Sequence, residues 1–447
     1  MRRNRIIFII STMFLATLAC WVGQQAEAPP STITALPAQS EKPEPTESLE
    51  PTTFPSPTKT PTPFPNPIPS PTKTPNPFPN PILKIVGEEE IVFDWTTDRC
   101  ANYNIPDLPL RAFRGIDGQV QAITSSDNNY RMLGPDLNDL TIDCNPIMTS
   151  KYDPDPSRYT DAQWIAAPYT EDGQTVYALV HNEYQGHTHP GQCPQNDYIS
   201  CWDNSITLAI SIDGGKTYTE SQTPPSHLVA RFPYPYEAGA GPEGFRSPSN
   251  IIRGQDNYYY SFFNVIEYGT QKQWVCLMRT DDLSLPSSWR FWDGTAFEGQ
   301  FADPYTDEIS NPEAHICPHI DQVGNTSETL SESITYNTYL KRYVLVGISA
   351  DWLDNREVWG FYYSFSDDLI HWTHRKLLLE IELPWTVEFP GSDLSYLYPS
   401  LLDPESESRN FETTDKTAYL YYTRNNFGHG SLDRDLIRVP VEFFPSP

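Results

Sequence analysis

His181, Asn182, Glu183, Tyr184, His187 and His189 crowd into nine positions. Glu183 is a carboxyl group set beside an imidazole and an amide, the company that a proton-transferring group uses. Asp161 lies just ahead of an apolar run, and Glu332 opens a later one. Two carboxyl groups across one pocket, one protonated and one ionised, can protonate a leaving group and activate a nucleophile together. On that ground the expected pair is Glu183 as general acid and Asp161 as base, with Glu332 the substitute for either. His181 either orients a carboxylate or holds a hydroxyl. His187-Thr-His189 and His315-Ile-Cys317-Pro-His319 carry metal-ligand residue types without a partner cluster, so no metal ligand is assigned. No cofactor is expected; a structural calcium ion would not be readable from these residues.

Such groups need a frame that brings distant chain segments together. After Lys84 helical periodicity is scarce and short β-rich runs recur. Five begin just after a polar turn: 119–125, 175–180, 257–263, 341–348 and 417–423. Each follows a shorter apolar run, at 110–114, 164–169, 249–253, 332–336 and 399–402. Four of these pairs lead into a third run that ends in an Asp-containing turn, at Asp136, Asp213, Asp282 and Asp368. Units recur every 60–85 residues or so, roughly, as propeller blades with insertions would. The expected fold is all-β: a five-bladed β-propeller over 85–447, with 433–443 as the third strand of the last blade and 90–95 as an outer strand closing the ring.

Ser211-Ile-Asp213-Gly-Gly-Lys-Thr217-Tyr218 fits the pattern S-x-D-x-G-x-T-aromatic. A short acid caps backbone N–H groups in such a turn and glycine supplies positive φ. The octet resembles the Asp box of sialidase-type propellers. The blade pattern as a whole resembles the five-bladed glycoside hydrolases of the arabinanase/xylosidase clan, over the entire folded part. That resemblance implies an O-glycosyl hydrolase acting on an extracellular poly- or oligosaccharide through carboxylates at the central channel. The chain has no W-x-N-D-P-x-G and no R-D-P, so the clan's catalytic residues do not carry over by motif.

Geometry supplies a sorting rule. In an up-and-down blade the start of the inner strand and the end of the second strand share one face, and the Asp-turns lie on the other. Asp213 and its counterparts are therefore structural. The functional face collects Asp107, Arg111, Asp161, His181, Asn182, Glu183, Arg246, Ser249, Asn250, Asn264, Glu332, Asp351, Tyr398, Arg424 and Asn425. Arg111, His181, Asn182, Arg246, Asn250, Tyr398 and Arg424 are the expected substrate contacts, and Trp202, Trp274 and Trp352 either stack on sugar faces or pack in the core. A sialidase-like alternative has Arg111, Arg246 and Arg424 clamp a carboxylate, with Tyr398 as nucleophile. A non-catalytic glycan-binding surface lipoprotein is the alternative from another class; it predicts aromatics and amides without a close carboxylate pair.

The chain ends bound the setting. Arg2, Arg3 and Arg5 precede the apolar stretch 6–18, too short for a comfortable membrane span, and Thr17-Leu18-Ala19-Cys20 follows. The expected reading is a signal peptide over 1–19 and a lipid anchor at Cys20, the alternative being cleavage near Ala26-Glu27-Ala28. Residues 20–84 are Pro/Thr-rich, and 55–68 recurs almost unchanged as 69–82. This composition cannot bury a core and favours a polyproline II spacer, about 100 Å or more in reach. An exported, cell-surface or secreted protein is expected. Net charge is −28 and no basic cluster stands in the folded part, which disfavours nucleic acid and anionic lipid as partners and leaves carbohydrate. A monomer is expected, touching membrane only through Cys20. Six further cysteines in an exported chain imply disulfides. Of the pairings, on the order of 15, Cys100–Cys144, Cys193–Cys201 and Cys276–Cys317 would each staple one local unit.

Overall fold

The computed structural model describes residues 80–445 apart from 195, 321–329, 388–390, 392 and 428–431. The expected signal segment, Cys20 and nearly all of the stalk lie outside the described residues. The rest is a five-bladed β-propeller. The first blade is Arg111–Arg114, Val120–Ile123, Asn128–Gly134 and Thr141–Thr149, paired in chain order. The second is Ala162–Tyr169, Val176–Gln185 and Trp202–Ser211, edged by Thr219–Glu220 and Leu228–Ala230. The third is Ile252–Arg253, Tyr259–Ile266, Gln273–Thr280 and Arg290–Phe291. The fourth is Ser333–Asn337, Arg342–Leu353, Arg356–Ser366 and Lys376–Glu380. The fifth is Ser395–Leu402, Thr417–Asn425 and Arg434–Phe444, to whose outer edge both Ile82–Ile85 and Glu90–Phe93 pair. The ring thus closes with two N-terminal strands, one of them starting inside the stretch expected as linker.

Apolar runs in the second strands are continuous because both faces of a blade are buried, and successive side chains point to opposite faces. Phe262 joins the apolar cluster with Tyr362 while Phe263 joins the one with Leu208. Likewise Tyr421 packs with Ala122 and Tyr422 with Phe361. Ala178, Ile147 and Tyr218 fill the space between the first two blades. The Asp213 turn forms as expected: Asp213 Oδ1 accepts from the N–H groups of Lys216 and Thr217 at 3.1 and 3.0 Å, over Gly214 and Gly215 at φ +76° and +83°.

Inner strands have one unpaired edge, and side chains take the place of a neighbouring strand. Asn250 donates to Ile334 O and accepts from Ile334 N, at 2.8 and 2.9 Å, joining the third blade to the fourth. Asn129 does the same for the second blade, donating to Gln163 O and accepting from Ile165 N at 2.9 and 2.7 Å. The strand Glu243–Arg246 runs parallel to one strand of the second blade and antiparallel to one of the third, fusing the two sheets.

The far end of the channel is closed by residues 403–416 of the fifth blade. Arg409 O accepts from Arg114 N at 2.8 Å and Asn410 exchanges two 2.9 Å bonds with Thr170. Glu412 accepts from Arg253 N at 2.6 Å, its carbonyl accepts from Tyr336 N at 2.8 Å, and Thr413–Thr414 pairs with Ser333–Asn337. This one segment grips the inner strands of the four other blades.

All three disulfides are present in the pairing that staples local units. Cys276–Cys317 spans 41 residues. Loop-closure entropy at that length puts loss of the bond at roughly 4 kcal/mol. The double variant Cys276→Ser/Cys317→Ser is expected to unfold at a clearly lower urea midpoint; an unaltered midpoint would count against it.

Candidate active site

The other end of the channel carries the acids. Asp107 precedes the first blade's inner strand, Glu183 ends the second strand of its blade, and Glu332 precedes the fourth inner strand. Arg246, Tyr398 and Arg434 join them from the third and fifth blades.

Asp107 is buried. Its Oδ1 accepts from Arg434 Nη1 at 2.5 Å and from Tyr398 Oη at 3.3 Å; its Oδ2 accepts from the Trp164 indole at 3.3 Å. Burial pushes its pKa up to about 6, against the pull of the Arg434 charge. Tyr398 reaches it from a β-bulge with φ +58°, a left-handed backbone that a tyrosine adopts only where its surroundings hold it.

Trp164 also touches the His181 ring, with centroids 5.8 Å apart. His181 Nδ1 accepts from Ser247 N–H at 3.3 Å, which leaves the neutral ring's proton on Nε2, pointing at Glu183 Oε1 3.0 Å away. Glu183 Oε2 accepts from Gln185 Nε2 at 2.9 Å and from Tyr198 Oη at 3.3 Å. Three donors thus surround a carboxyl group that is 2% exposed.

Glu332 is partly exposed. Its carboxyl group accepts from the backbone N–H groups of Ile348 and Ser331 at 3.1–3.3 Å. Burial outweighs those bonds and the Arg111 charge and raises its pKa to about 7. Residue 347 is glycine for a steric reason: a Cβ there would stand 2.0 Å from Glu332 Oε2. Arg246 sits among these groups. Burial lowers its pKa, and Tyr398, Glu183 and Glu332 act in the opposite direction.

Several expected residues are placed differently. Ala162 pairs with Glu183, so strand alternation puts Asp161, one residue earlier, on the opposite side. There its Oδ2 accepts from Gln185 N at 2.8 Å and lies 2.9 Å from His189 Nε2, whose ring stacks on Tyr184. The expected Glu183/Asp161 pair is therefore on opposite sides of the sheet, although the two stay near enough for Glu183 to add to the upward shift that burial gives Asp161. Asn182 shares the Asp161 side, donating to Ser205 Oγ at 3.0 Å. Asn250 is the interblade tie described above. Arg111 is a strut across the channel: it donates to the carbonyls of Ala166 and Glu332 at 3.1 and 2.5 Å and to Ser400 Oγ at 3.4 Å. Arg424 is paired with Glu89 and Asp435 at 3.1 and 3.0 Å. Arg111, Arg246 and Arg424 thus have separate employments rather than a shared one. Cys317 is oxidised, so the His315/Cys317/His319 set has no thiolate. Among the described residues no group of three or more His, Cys, Asp or Glu is arranged for a metal ion.

Trp202 is fully buried under Tyr198 and the Trp274 indole donates to Cys317 O, whereas Trp352 is 69% exposed near the mouth end of its strand. Arg434, Tyr198, Gln185 and Ser247 were not among the expected contacts. Arg434 opens a third strand, a position outside the inner-start and second-end rule, and Tyr198 sits within the Cys193–Cys201 loop, where no periodicity points.

Fold and mouth together describe a β-propeller with the carboxyl groups of Asp107, Glu183 and Glu332 gathered at one end of its axis. No protein-family model and no curated protein matches the chain. Among solved structures it is similar to a glycosyl hydrolase from Bacteroides ovatus, 11% identical with a TM-score of 0.41, covering 78% of this chain and 90% of that one. It is also similar to the endo-arabinase from Bacteroides thetaiotaomicron VPI-5482, at 10% identity and a TM-score of 0.41 over 78% and 97% of the two chains. A third likeness is Cellvibrio cellulosa α-L-arabinanase, at 9% and 0.38 over 71% and 87%.

Proposed function

We propose that this chain is a glycoside hydrolase acting on an extracellular poly- or oligosaccharide at the open end of its channel. One observation carries the reading: Glu332, whose pKa burial raises to about 7, and Glu183, fitted with three donors, both stand close enough to Arg246 to act on its charge. Acetal hydrolysis asks for two carboxyl groups, one holding a proton and one without, and Glu332 is the one whose surroundings favour the proton. Glu332 is the general acid. Its proton passes to the glycosidic oxygen as the C1–O bond breaks and the bonding electrons move to that oxygen. Glu183 is the ionised partner, taking a proton from the attacking water or bonding to C1 itself. These roles reverse the expectation that Glu183 is the acid and remove Asp161 from the chemistry. His181 and Tyr198 position Glu183, and Asp107 with Arg434 and Tyr398 shapes the adjoining wall. Trp352 offers an exposed ring to a sugar face. The signal and anchor expected at the N-terminus fit a polysaccharide met outside the cytoplasm.

The test is hydrolysis by the domain without signal and stalk, screened on aryl glycosides and plant or bacterial polysaccharides. Glu183→Gln should lower kcat/KM by roughly 10²-fold or more on whichever substrate responds. A panel that yields no reducing ends, or a Glu183→Gln variant as fast as the parent, would sink the reading and favour a glycan-binding surface protein.

A further inference from the structure

At the Asp-turn end of the third blade, away from the acids of the mouth, two cavities of about 390 Å³ each flank the turn 286–290. Both are lined by Ser287 and Arg290, so they adjoin one another. In the first, Arg279 is held between two rings, 4.0 Å from the Tyr258 centroid and 4.3 Å from that of Phe297. Its Nη1 donates to Asp256 Oδ2 and Tyr260 Oη at 3.2 and 3.1 Å, which fixes the guanidinium before any ligand arrives. Half-buried aromatic rims, a charge-assisted donor in Arg290 and a charge-assisted acceptor in Asp281 share this one wall.

We propose that this double cavity is a second carbohydrate site, one that holds a neutral oligosaccharide segment while the mouth acts on another. Flat C–H faces of pyranose rings suit the Tyr258 and Phe297 rims, and Arg290 with Asp281 can satisfy neighbouring hydroxyls from both directions. Charge selects the class. Arg279 is paired with Asp256, and Asp281, Asp303 and Asp307 line the cavities along with Arg290, so there is no surplus positive charge, and a chain with net charge −28 repels polyanions. The joined cavities fit a run of sugars better than a single one. The inference takes its ligand class from the hydrolase reading but does not need hydrolysis.

The experiment is affinity electrophoresis of the full chain through native gels containing soluble arabinan, xylan, glucomannan or polygalacturonate. At least one neutral polysaccharide should retard the parent, and Tyr258→Ala/Phe297→Ala should raise the apparent Kd at least tenfold. Because that variant unpacks Arg279, Asp281→Asn, whose side chain is exposed, is run beside it and should also weaken binding with an unaltered Tm. Turnover of a small aryl glycoside should not differ between parent and variants. Retardation equal in all three proteins, retardation by polygalacturonate alone, or none in any neutral gel overturns the site. Loss of retardation in a protein that hydrolyses nothing overturns the hydrolase reading and keeps this one.

Discussion

Glu332→Gln should lower kcat on an unactivated glycoside by roughly 10²- to 10⁴-fold, the range that a positioned proton donor contributes. The amide keeps the shape of the carboxyl group beside Gly347 and can still accept from Ile348 N, so the fold should stand. The pH profile gives the sharper reading. A general acid works only while protonated, and a pKa of about 7 means that the parent loses activity as pH rises through 7. That falling limb should vanish in the variant. An aryl glycoside whose phenol leaves without help should retain far more of its rate than an alkyl one. If the alkaline limb persists in Glu332→Gln, the proton comes from elsewhere.

The second large effect is on stability. Asp107→Ala takes from the buried Arg434 a carboxyl partner 2.5 Å away, and also removes the acceptor of Trp164 and Tyr398. Breaking one side of a buried pair costs roughly 3–5 kcal/mol, because the remaining charge stays out of water. Urea unfolding should show that loss, and Asp107→Asn, which keeps an oxygen for Trp164 and Tyr398, a smaller one. Replacing both partners, as in Asp107→Leu/Arg434→Met, should recover most of it. Equal losses for Asp107→Ala and the double variant would mean that the ion pair is not what matters there. Asp107→Ala should also be a poor catalyst, since Asp107 holds Trp164 against His181.

The blades could be read from sequence because each repeats a local signal, an apolar run between polar turns, with side-chain period two. Asp136, Asp213, Asp282 and Asp368 each mark the same turn, and the apolar residue after three of them, Leu137, Leu283 and Leu369, is buried. The expectation that Asp107, Glu183 and Glu332 share one rim followed from the same alternation. What alternation could not give without register was which side of a strand an individual residue takes. Asp161 and Glu183 looked like partners because both stand at strand ends of one blade. The one-residue offset that pairs Glu183 with Ala162 separates them. Arg111 looked like a substrate clamp because a cation at a channel invites that reading. Its bonds to carbonyls of two other blades are long-range facts that no local pattern encodes. Glu332 was visible as a carboxyl group, but its pKa of about 7 comes from burial that outweighs the bonds from residues 331 and 348, an environment that only the folded chain creates.

The segment 403–416, which grips four inner strands at once, makes the axial passage a blind well. On the hydrolase reading proposed above, a polymer would not thread through the molecule and be cut as it advances. It would lie across the open rim, and each released fragment would retreat by the route the substrate took before another turnover began.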